Sequence, residues 1–359
     1  MLKLLHAADL HLDSPFSGLS PAQAALRRAE QRALLTRLTE ECNRRACDLL
    51  LLAGDLFDGA HVYRDTVDAL ADALRACRAQ VLIAPGNHDW LSPGSPYLTA
   101  VWPENVHIFT EETISAVQFP SLGCRVYGAG FRREHCPALL EGFRAEQDGL
   151  INLMVLHGDA TGGADYNPVS KQQIAHSGLR YLALGHIHKR GQLTEGGTLC
   201  AWPGCMMGRG FDETGEKGVY EVTIDGADCR TEFVPLGTRR YEILTVCVGD
   251  DPLAAVQAAL PAQTERDIYR ILLTGESADV DVAALTDALS PRFEALELRD
   301  QTVPPLSLWA DAGEDTLKGQ FLARMREHLA QAEGDERTAL LFAVRAGLAL
   351  FEGREVPPL

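Results

Sequence analysis

Over its first 235 residues the chain repeats one arrangement: a short apolar run breaks off at a loop of Gly, His, Asp or Asn. The runs are LKLLHAAD, DLLLLAGD, QVLIAPGNHD, CRVYGAGF, INLMVLHGD, YLALGHIH, GTLCAWPG and GVYEVTID. Short apolar runs closed by turn formers predict strands, and unbroken rather than alternating apolarity predicts burial on both faces. Helical stretches lie between several of them. Ser20 is an N-cap followed by Pro21, leading into AQAALRRAEQRALLTRLTEECNRRA, where Leu26, Ala29, Ala33, Leu34 and Leu38 form a 3.6-residue stripe. A second helix is predicted over about 62–77, starting near Tyr63. The alternation predicts a layered α/β domain with helices outside.

The pattern changes near PLGTRR, at 235–240. From Tyr241 to Leu298 the segments YEILTVCV, DPLAAVQAAL, DIYRILLTG, VDVAALTDAL and FEALELR read as strand, helix, strand, helix, strand, which makes a small α/β domain over 238–304. VPPLSLWADAGED reads as a linker opening a tail over 305–359 with two helical stretches. Leu317, Phe321, Met325 and Leu329 recur at helical spacing there, as do Leu340, Leu341, Val344 and Leu348. Such stripes either pack on each other or dock a partner's helices.

Composition bounds the class of function. Net charge is −17, the reverse of a freestanding nucleic-acid binder's basic footprint. Residues 1–237 carry 21 Lys+Arg against 29 Asp+Glu, and 238–359 carry 12 against 21, so a DNA surface is expected on the first part or on a partner. The nine cysteines are scattered without a CxxC pair, which predicts neither disulfide framework nor zinc ribbon. No apolar run spans a membrane and the N-terminus turns polar early, so a cytoplasmic protein is expected.

The loops after the runs concentrate the chemistry. Asp9-x-His11 follows the first, Gly54-Asp55-x-x-Asp58 the second, Gly86-Asn87-His88-Asp89 the third, His157 ends INLMVLHG, and Gly185-His186-x-His188 ends YLALGHIH. In open α/β sheets such loops meet at the carboxyl ends of the strands. Five loops then deliver Asp9, His11, Asp55, Asn87, His157, His186 and His188 to one rim. Carboxylate, amide and imidazole donors without thiolate suit Mn²⁺, Fe²⁺ or Zn²⁺. Seven donors exceed one tetrahedral ion and match two ions sharing a carboxylate, the arrangement used for displacement at phosphorus.

Read in order, DxH, GDxxD, GNHD, H and GHxH resemble the calcineurin-like metallophosphoesterases over about 1–237. HAADLHLDSPF, GDLFD, PGNHD, ALGHIHKR and the WPG…GRGFDETGEKG stretch resemble the SbcD/YhaO-type DNA repair exonuclease subunits within that superfamily. The resemblance implies two central mixed β-sheets flanked by helices, with the 238–304 domain as a cap. It implies one metal on Asp9, His11, Asp55 and His188, and a second on Asp55, Asn87, His157 and His186, Mn²⁺ foremost. His88 would stand at the scissile phosphate and Asp58 would orient it. Arginines that clamp a phosphomonoester in the serine/threonine phosphatase branch are missing from GDLFDGA and GNHDWLSPGS, which favours a diester.

Lys189, Arg190, Arg209, Arg132 and Arg133 are candidate contacts to a DNA backbone. Trp202 and Phe211 are candidates to stack on bases, against the commoner reading of each as core. The implied partners are DNA, a coiled-coil ATPase resembling SbcC, and a second copy of the chain. Two other readings compete: a small-molecule or cyclic-nucleotide phosphodiesterase, and a non-catalytic metal-stabilised scaffold that recruits an ATPase. The added segments after 237 speak against the first, and His88 speaks against the second.

Overall fold

A computed structural model describes residues 1–353 apart from 18, 60, 61, 164, 250, 278, 279, 304 and 305. The chain divides into two compact units, one of residues 1–209 and 215–238, the other of 210–214 and 239–359.

In the first unit the strands are β1 (Leu2–Ala7), β2 (Leu49–Leu52), β3 (Gln80–Ile83), β4 (Val106–Ile108), β5 (Ser115–Phe119), β6 (Cys124–Gly128), β7 (Ile151–His157), β8 (Tyr181–Gly185), β9 (Gly191–Glu195), β10 (Thr198–Trp202), β11 (Gly218–Asp225) and β12 (Asp228–Pro235). They form two six-stranded mixed sheets, in the orders β12-β11-β1-β2-β3-β4 and β5-β6-β7-β8-β10-β9. In the first, β1 to β4 run parallel, with β11 antiparallel to β1 and β12 antiparallel to β11. In the second, β6, β7, β8 and β10 run parallel between antiparallel β5 and β9.

The continuous apolar runs follow from three stacked cores. Leu49 and Leu51 of β2 turn inward with Leu4, Leu82, Leu153, Val155, Tyr181 and Ala183, filling the space between the sheets. Leu50 and Leu52 turn outward with Val81 and Ile83 under helices α1 (Pro21–Arg44) and α2 (Arg64–Ala76). On the far side Met154, Leu156, Leu182 and Leu184 pack with Ile174 of α4 (Lys171–His176); a single turn, α3 (Pro96–Thr99), follows the third loop. Both faces of the inner strands are dry, so they lose the period-2 pattern.

Four strands escape the apolar-run signal: β4, β5, β9 and β12. All four are sheet edges, and each alternates or is largely exposed. An edge strand has one paired side and a partly solvated face, so it carries too few apolar residues to stand out. The stripe expected on α1 is also corrected. Leu26, Ala29 and Ala33 face solvent, whereas Ala24, Arg27, Gln31, Leu34, Leu35, Leu38, Thr39 and Cys42 are buried. Two long polar side chains, Arg27 and Gln31, occupy the inner face, so a count of apolar residues alone points to the wrong side of the helix.

The second unit contains β13 (Tyr241–Cys247), β14 (Ile268–Thr274) and β15 (Ala295–Asp300) in an all-parallel sheet, crossed by α5 (Pro252–Ala259) and α6 (Val282–Leu289). The separate tail expected at 305–359 belongs to this same unit. Its helices α7 (Leu317–Leu329) and α8 (Gly334–Phe351) pack on each other through Leu322, Leu329, Val344 and Leu348, and Arg345 is bonded to Asp300 and to the carbonyl of Thr302. Leu317, expected in that stripe, is exposed. Of the expected linker and tail, residues 304, 305 and 354–359 lie outside the described residues. Among the described residues no helix is long and apolar enough to cross a membrane.

One buried histidine joins the two sheets of the first unit. His6 of β1 is fully buried, with Nε2 3.1 Å from the Leu184 carbonyl and Nδ1 2.8 Å from the Tyr181 hydroxyl. The carbonyl only accepts, so Nε2 carries the proton and Nδ1 accepts from Tyr181. Burial pushes the imidazole down to about 3, against a smaller opposing effect of the Leu184 bond. The unfolded histidine binds a proton below its ordinary value of about 6.5 and the folded one does not, so stability falls as pH drops from there toward 3. The expected loss is ~1.4 kcal/mol per pH unit. Urea midpoints at pH 7 and pH 5 should diverge more for the wild type than for His6→Gln, and equal slopes would refute this account.

Candidate metal centre

The loops after β1, β2, β3, β7 and β8 leave their strands abruptly. Asp9, His11, Asp55 and His186 all have left-handed backbone, at φ of 52°, 46°, 51° and 84°. Non-glycine residues rarely adopt that region, and several together mark a place where the fold imposes strain. Backbone bonds impose it here. Asp9 N–H donates to Gly54 O at 3.1 Å and His11 N–H to Asp55 O at 2.9 Å, which locks the first two loops together. The His186 N–H donates to Asp9 Oδ1 at 2.9 Å, tying the second sheet to the first. Gly86 is required by close approach, since a Cβ there would lie 2.3 Å from Asp55 Oδ1.

The side chains converge on Asp55, which is 1% exposed. Its Oδ2 lies 3.3 Å from His157 Nε2 and 3.8 Å from His11 Nε2. On the His11 side, His188 Nε2 stands 3.1 Å from His11 Nε2, and an oxygen of Asp9 joins them within 4.8 Å. On the His157 side, Asn87 Oδ1 lies 2.9 Å from His157 Nε2 and 3.2 Å from His186 Nδ1. All seven residues expected at the rim are therefore together, in two donor clusters joined by Asp55 and Asp9. His186 and His188 diverge into different clusters because the strand stops at Gly185 and His186 turns left-handed.

The donor atoms fit cations. Asp9 Oδ2 is buried with no hydrogen-bond partner among the described residues. His157 Nδ1 donates to the Ala53 carbonyl, 2.9 Å away, and His11 Nδ1 to Asp58 Oδ1, 2.7 Å away, so in both rings Nε2 is the atom left to face the site. Burial alone would raise the Asp55 carboxyl, but the charge and bond of His157, with His11 and His88, outweigh it and hold Asp55 well below the usual carboxylate range. For His157, burial works downward and Asp55 upward, and the imidazole ends at about 9. His186 is pushed down by burial and by His157. Asp55 and His157 thus neutralise each other, and a bound cation would take the place of the His157 Nε2 proton.

Asp58 stands in a different relation from the one the resemblance implied. Its Oδ1 accepts from His11 Nδ1 and, at 2.8 Å, from Arg209, rather than from His88. The reason is local. Asp58 N–H donates to Leu12 O at 3.0 Å beside a Leu12–Phe57 bridge, which pins the carboxylate to the His11 loop. His88 is exposed, its ring edge-on to His11 at 4.8 Å, and no hydrogen bond from its ring is found among the described residues. Its N–H donates to Asp55 Oδ1 at 2.9 Å.

The remaining candidates separate. Arg209 lies at the rim, on Asp58 and 3.3 Å from His188 Nδ1. Arg132 and Arg133 pair with Glu111 and Glu112, and Arg190 lies over the Phe233 ring at 4.0 Å. Lys189 is exposed, with no ion pair among the described residues. Trp202 belongs to the third core, and Phe211 packs edge-on to Tyr241 with Arg270 over its ring at 4.0 Å.

Asp89, which reads in sequence as a turn former, is the residue missed. Its Oδ2 accepts from Leu56 N at 2.7 Å, Phe57 N at 3.2 Å and Tyr97 Oη at 2.5 Å, and Oδ1 accepts from Gly86 N at 2.7 Å. It thereby clamps the Asp55 loop to the Asn87 loop. Gln31 of α1 does the same for the first loop, donating to His11 O at 2.8 Å. Asp89→Ala leaves three buried N–H donors unsatisfied and should cost at least about 3 kcal/mol, against about 1 kcal/mol for Tyr97→Phe. Urea unfolding of both variants measures it, and a neutral Asp89→Ala would refute the clamp.

Comparison with known proteins gives the family. Residues 2–190 match the family model described as calcineurin-like phosphoesterase. The chain is 37% identical over 324 residues to a protein named as the uncharacterized metallophosphoesterase YhaO of Bacillus subtilis (strain 168), covering 82% of this chain and 77% of that one. Solved structures with some likeness include a dimetal phosphatase from Danio rerio, at TM-score 0.42 and 16% identity over 63% of this chain and 93% of its own. Another is an archaeal phosphodiesterase, at TM-score 0.36 and 13% identity over 65% and 100%. With the family model spanning more than half of the sequence, this chain belongs to the calcineurin-like phosphoesterases, and its site residues are able to hold a metal ion pair.

Proposed function

We propose that the first unit hydrolyses phosphodiester bonds of DNA with two divalent ions, as the nuclease subunit of a DNA repair complex. The observation that carries this reading is Asp55 set between two donor clusters, with exposed His88 beside it. One ion would be held by Asp9, His11, Asp55 and His188, the other by Asp55, Asn87, His157 and His186. Mn²⁺ is the foremost candidate, with Fe²⁺ and Zn²⁺ also compatible with such donors. When bound, the ions would supply Lewis acidity at a phosphoryl oxygen and an acidified water.

The protein's own part is positional and protonic. Asp58 and the Ala53 carbonyl fix the tautomers of His11 and His157. His88 sits at the open side, free to give a proton to the leaving oxygen or to stabilise charge there. Support for a diester comes from the stretches after GDxxD and GNHD, which carry no arginine to clamp a terminal phosphate. Lys189 and Arg209 would touch the DNA backbone, and Arg209 would first have to leave Asp58. Arg132, Arg133 and Arg190 already have partners and contribute less. A coiled-coil ATPase resembling SbcC, and a second copy of the chain, complete the proposed assembly. The same reading puts the protein in the cytoplasm, consistent with cysteines that form no disulfide.

End-labelled DNA hairpins incubated with Mn²⁺, Mg²⁺ or Zn²⁺ should be shortened or nicked by the wild type. Turnover of cyclic nucleotides with DNA left intact would replace the nuclease reading by the small-molecule one. Asp55→Ala should abolish tight Mn²⁺ binding by calorimetry together with activity. His88→Ala should retain Mn²⁺ binding while the rate falls about 10²- to 10⁴-fold. Asp58→Ala should weaken Mn²⁺ binding about 10- to 100-fold through loss of the His11 anchor. Activity that survives Asp55→Ala sinks the site assignment.

A further inference from the structure

A run of aromatic rings leads outward from the metal centre, and neither the fold nor the proposed chemistry uses its outer end. His157 and His186 meet edge-on at 5.2 Å. Beyond them Tyr166 lies against His186 at 4.9 Å, tilted by 40°. His135 then stacks on Tyr166 at 5.3 Å with the rings 25° from parallel. Exposure grows along the series: His157 is buried, His186 and Tyr166 are half-buried, and His135 is exposed. No hydrogen bond from the His135 ring is found among the described residues.

The pair is built rather than draped. Cys136 and Tyr166 form a parallel bridge, with Asn167 N–H donating to Cys136 O at 2.8 Å. Asn167 is fully buried at a left-handed φ of 48°, and its Nδ2 donates to the His157 carbonyl at 2.8 Å. Its Oδ1 accepts from Leu139 N–H at 2.8 Å. The two strands of loop that carry His135 and Tyr166 are thus joined to each other and anchored on the backbone of a candidate metal ligand. A flexible surface loop would need none of these bonds.

We propose that His135 and Tyr166 form a stacking platform for the nucleobase adjoining the scissile phosphodiester. This deepens the nuclease reading and rests on it for the position of the phosphate. The occupant follows from shape and distance. Aromatic rings prefer planar partners at ~4.5–7 Å, and every base offers a π-face regardless of sequence. Ring spacings of 5.3 and 4.9 Å separate His135 from His186, which keeps the outer face of His135 close to the metal centre. A base held there belongs to an unpaired nucleotide, because a base inside a duplex already has neighbours on both faces. The platform therefore selects frayed or single-stranded ends, with purines ahead of pyrimidines by their larger face.

The test uses the full chain with Mg²⁺ and a short single strand carrying 2-aminopurine, its linkages made phosphorothioate to slow cleavage. Wild type and Tyr166→Phe should quench the 2-aminopurine emission on binding. His135→Ala and Tyr166→Ala should lose most of the quenching and bind about tenfold more weakly. A strand of equal length with an abasic site should bind wild type as weakly as the base-bearing strand binds His135→Ala. Equal wild-type affinity for the two strands, absence of quenching, or an unchanged His135→Ala overturns the platform. Wild-type hydrolysis of methyl p-nitrophenyl phosphate with Mn²⁺, a diester with no base, is measured alongside. If that activity is present while quenching is absent, the platform fails and the phosphodiesterase reading stands. If quenching depends on His135 while no diester is cleaved, the base-stacking contact stands, but its place beside a scissile bond falls with the catalytic reading.

Discussion

A carboxylate in a dry interior is costly unless its charge is answered, and Asp55 has to be answered from both sheets. Its oxygens meet His157 from the second sheet, His11 from the first, and the His88 N–H from the neighbouring loop. Much of the surrounding geometry follows from that requirement. Gly86 leaves room for Oδ1, Asp89 clamps the loops on either side, and Asp9, His11 and His186, like Asp55 itself, accept left-handed backbone to turn their side chains inward. Together these groups hold a concentration of negative and imidazole donors that becomes self-consistent around cations.

The sandwich supplies the rigidity that such an arrangement needs. Parallel strands β1, β2 and β3 end beside β7 and β8, and bonds such as His186 N–H to Asp9 Oδ1 and His6 to Leu184 cross between the sheets. Because the inner strands are buried on both faces, a shift of either sheet would disturb two cores at once. The loops can therefore carry strain that an isolated turn would relax. Helix α1 contributes through polarity as well as bulk: Gln31 holds the His11 carbonyl and Arg27 holds the Gly208 carbonyl.

The inner strands and the ligand candidates were legible because each signal is local. LLLL before GD, or LALG before HIH, states burial and abrupt termination within a few residues. The edge strands β4, β5, β9 and β12 were not, since partial solvation dilutes their apolar content. The inner face of α1 is hidden for the opposite reason: Arg27 and Gln31 look like surface residues until their partners 20 or more positions away are known. Asp89 shows the same limit. An aspartate after Asn-His is an ordinary turn residue in sequence, and only folding brings Leu56, Phe57 and Tyr97 to it.

The donor chemistry is written locally along the chain. The order Asp9-x-His11, Asp55, Asn87-His88, His157, His186-x-His188, each at the end of an apolar run, sets which donor types can meet and in what number. Tertiary structure decided the pairing. It put His186 with Asn87 and His188 with His11, turned Asp58 toward His11 and Arg209, and folded the tail onto its own helices. The physical reason is range. Burial and turn chemistry are written over a few residues, whereas these hydrogen-bond partners are separated by 47 to 177 positions, where only the packing of the fold brings one donor to one acceptor.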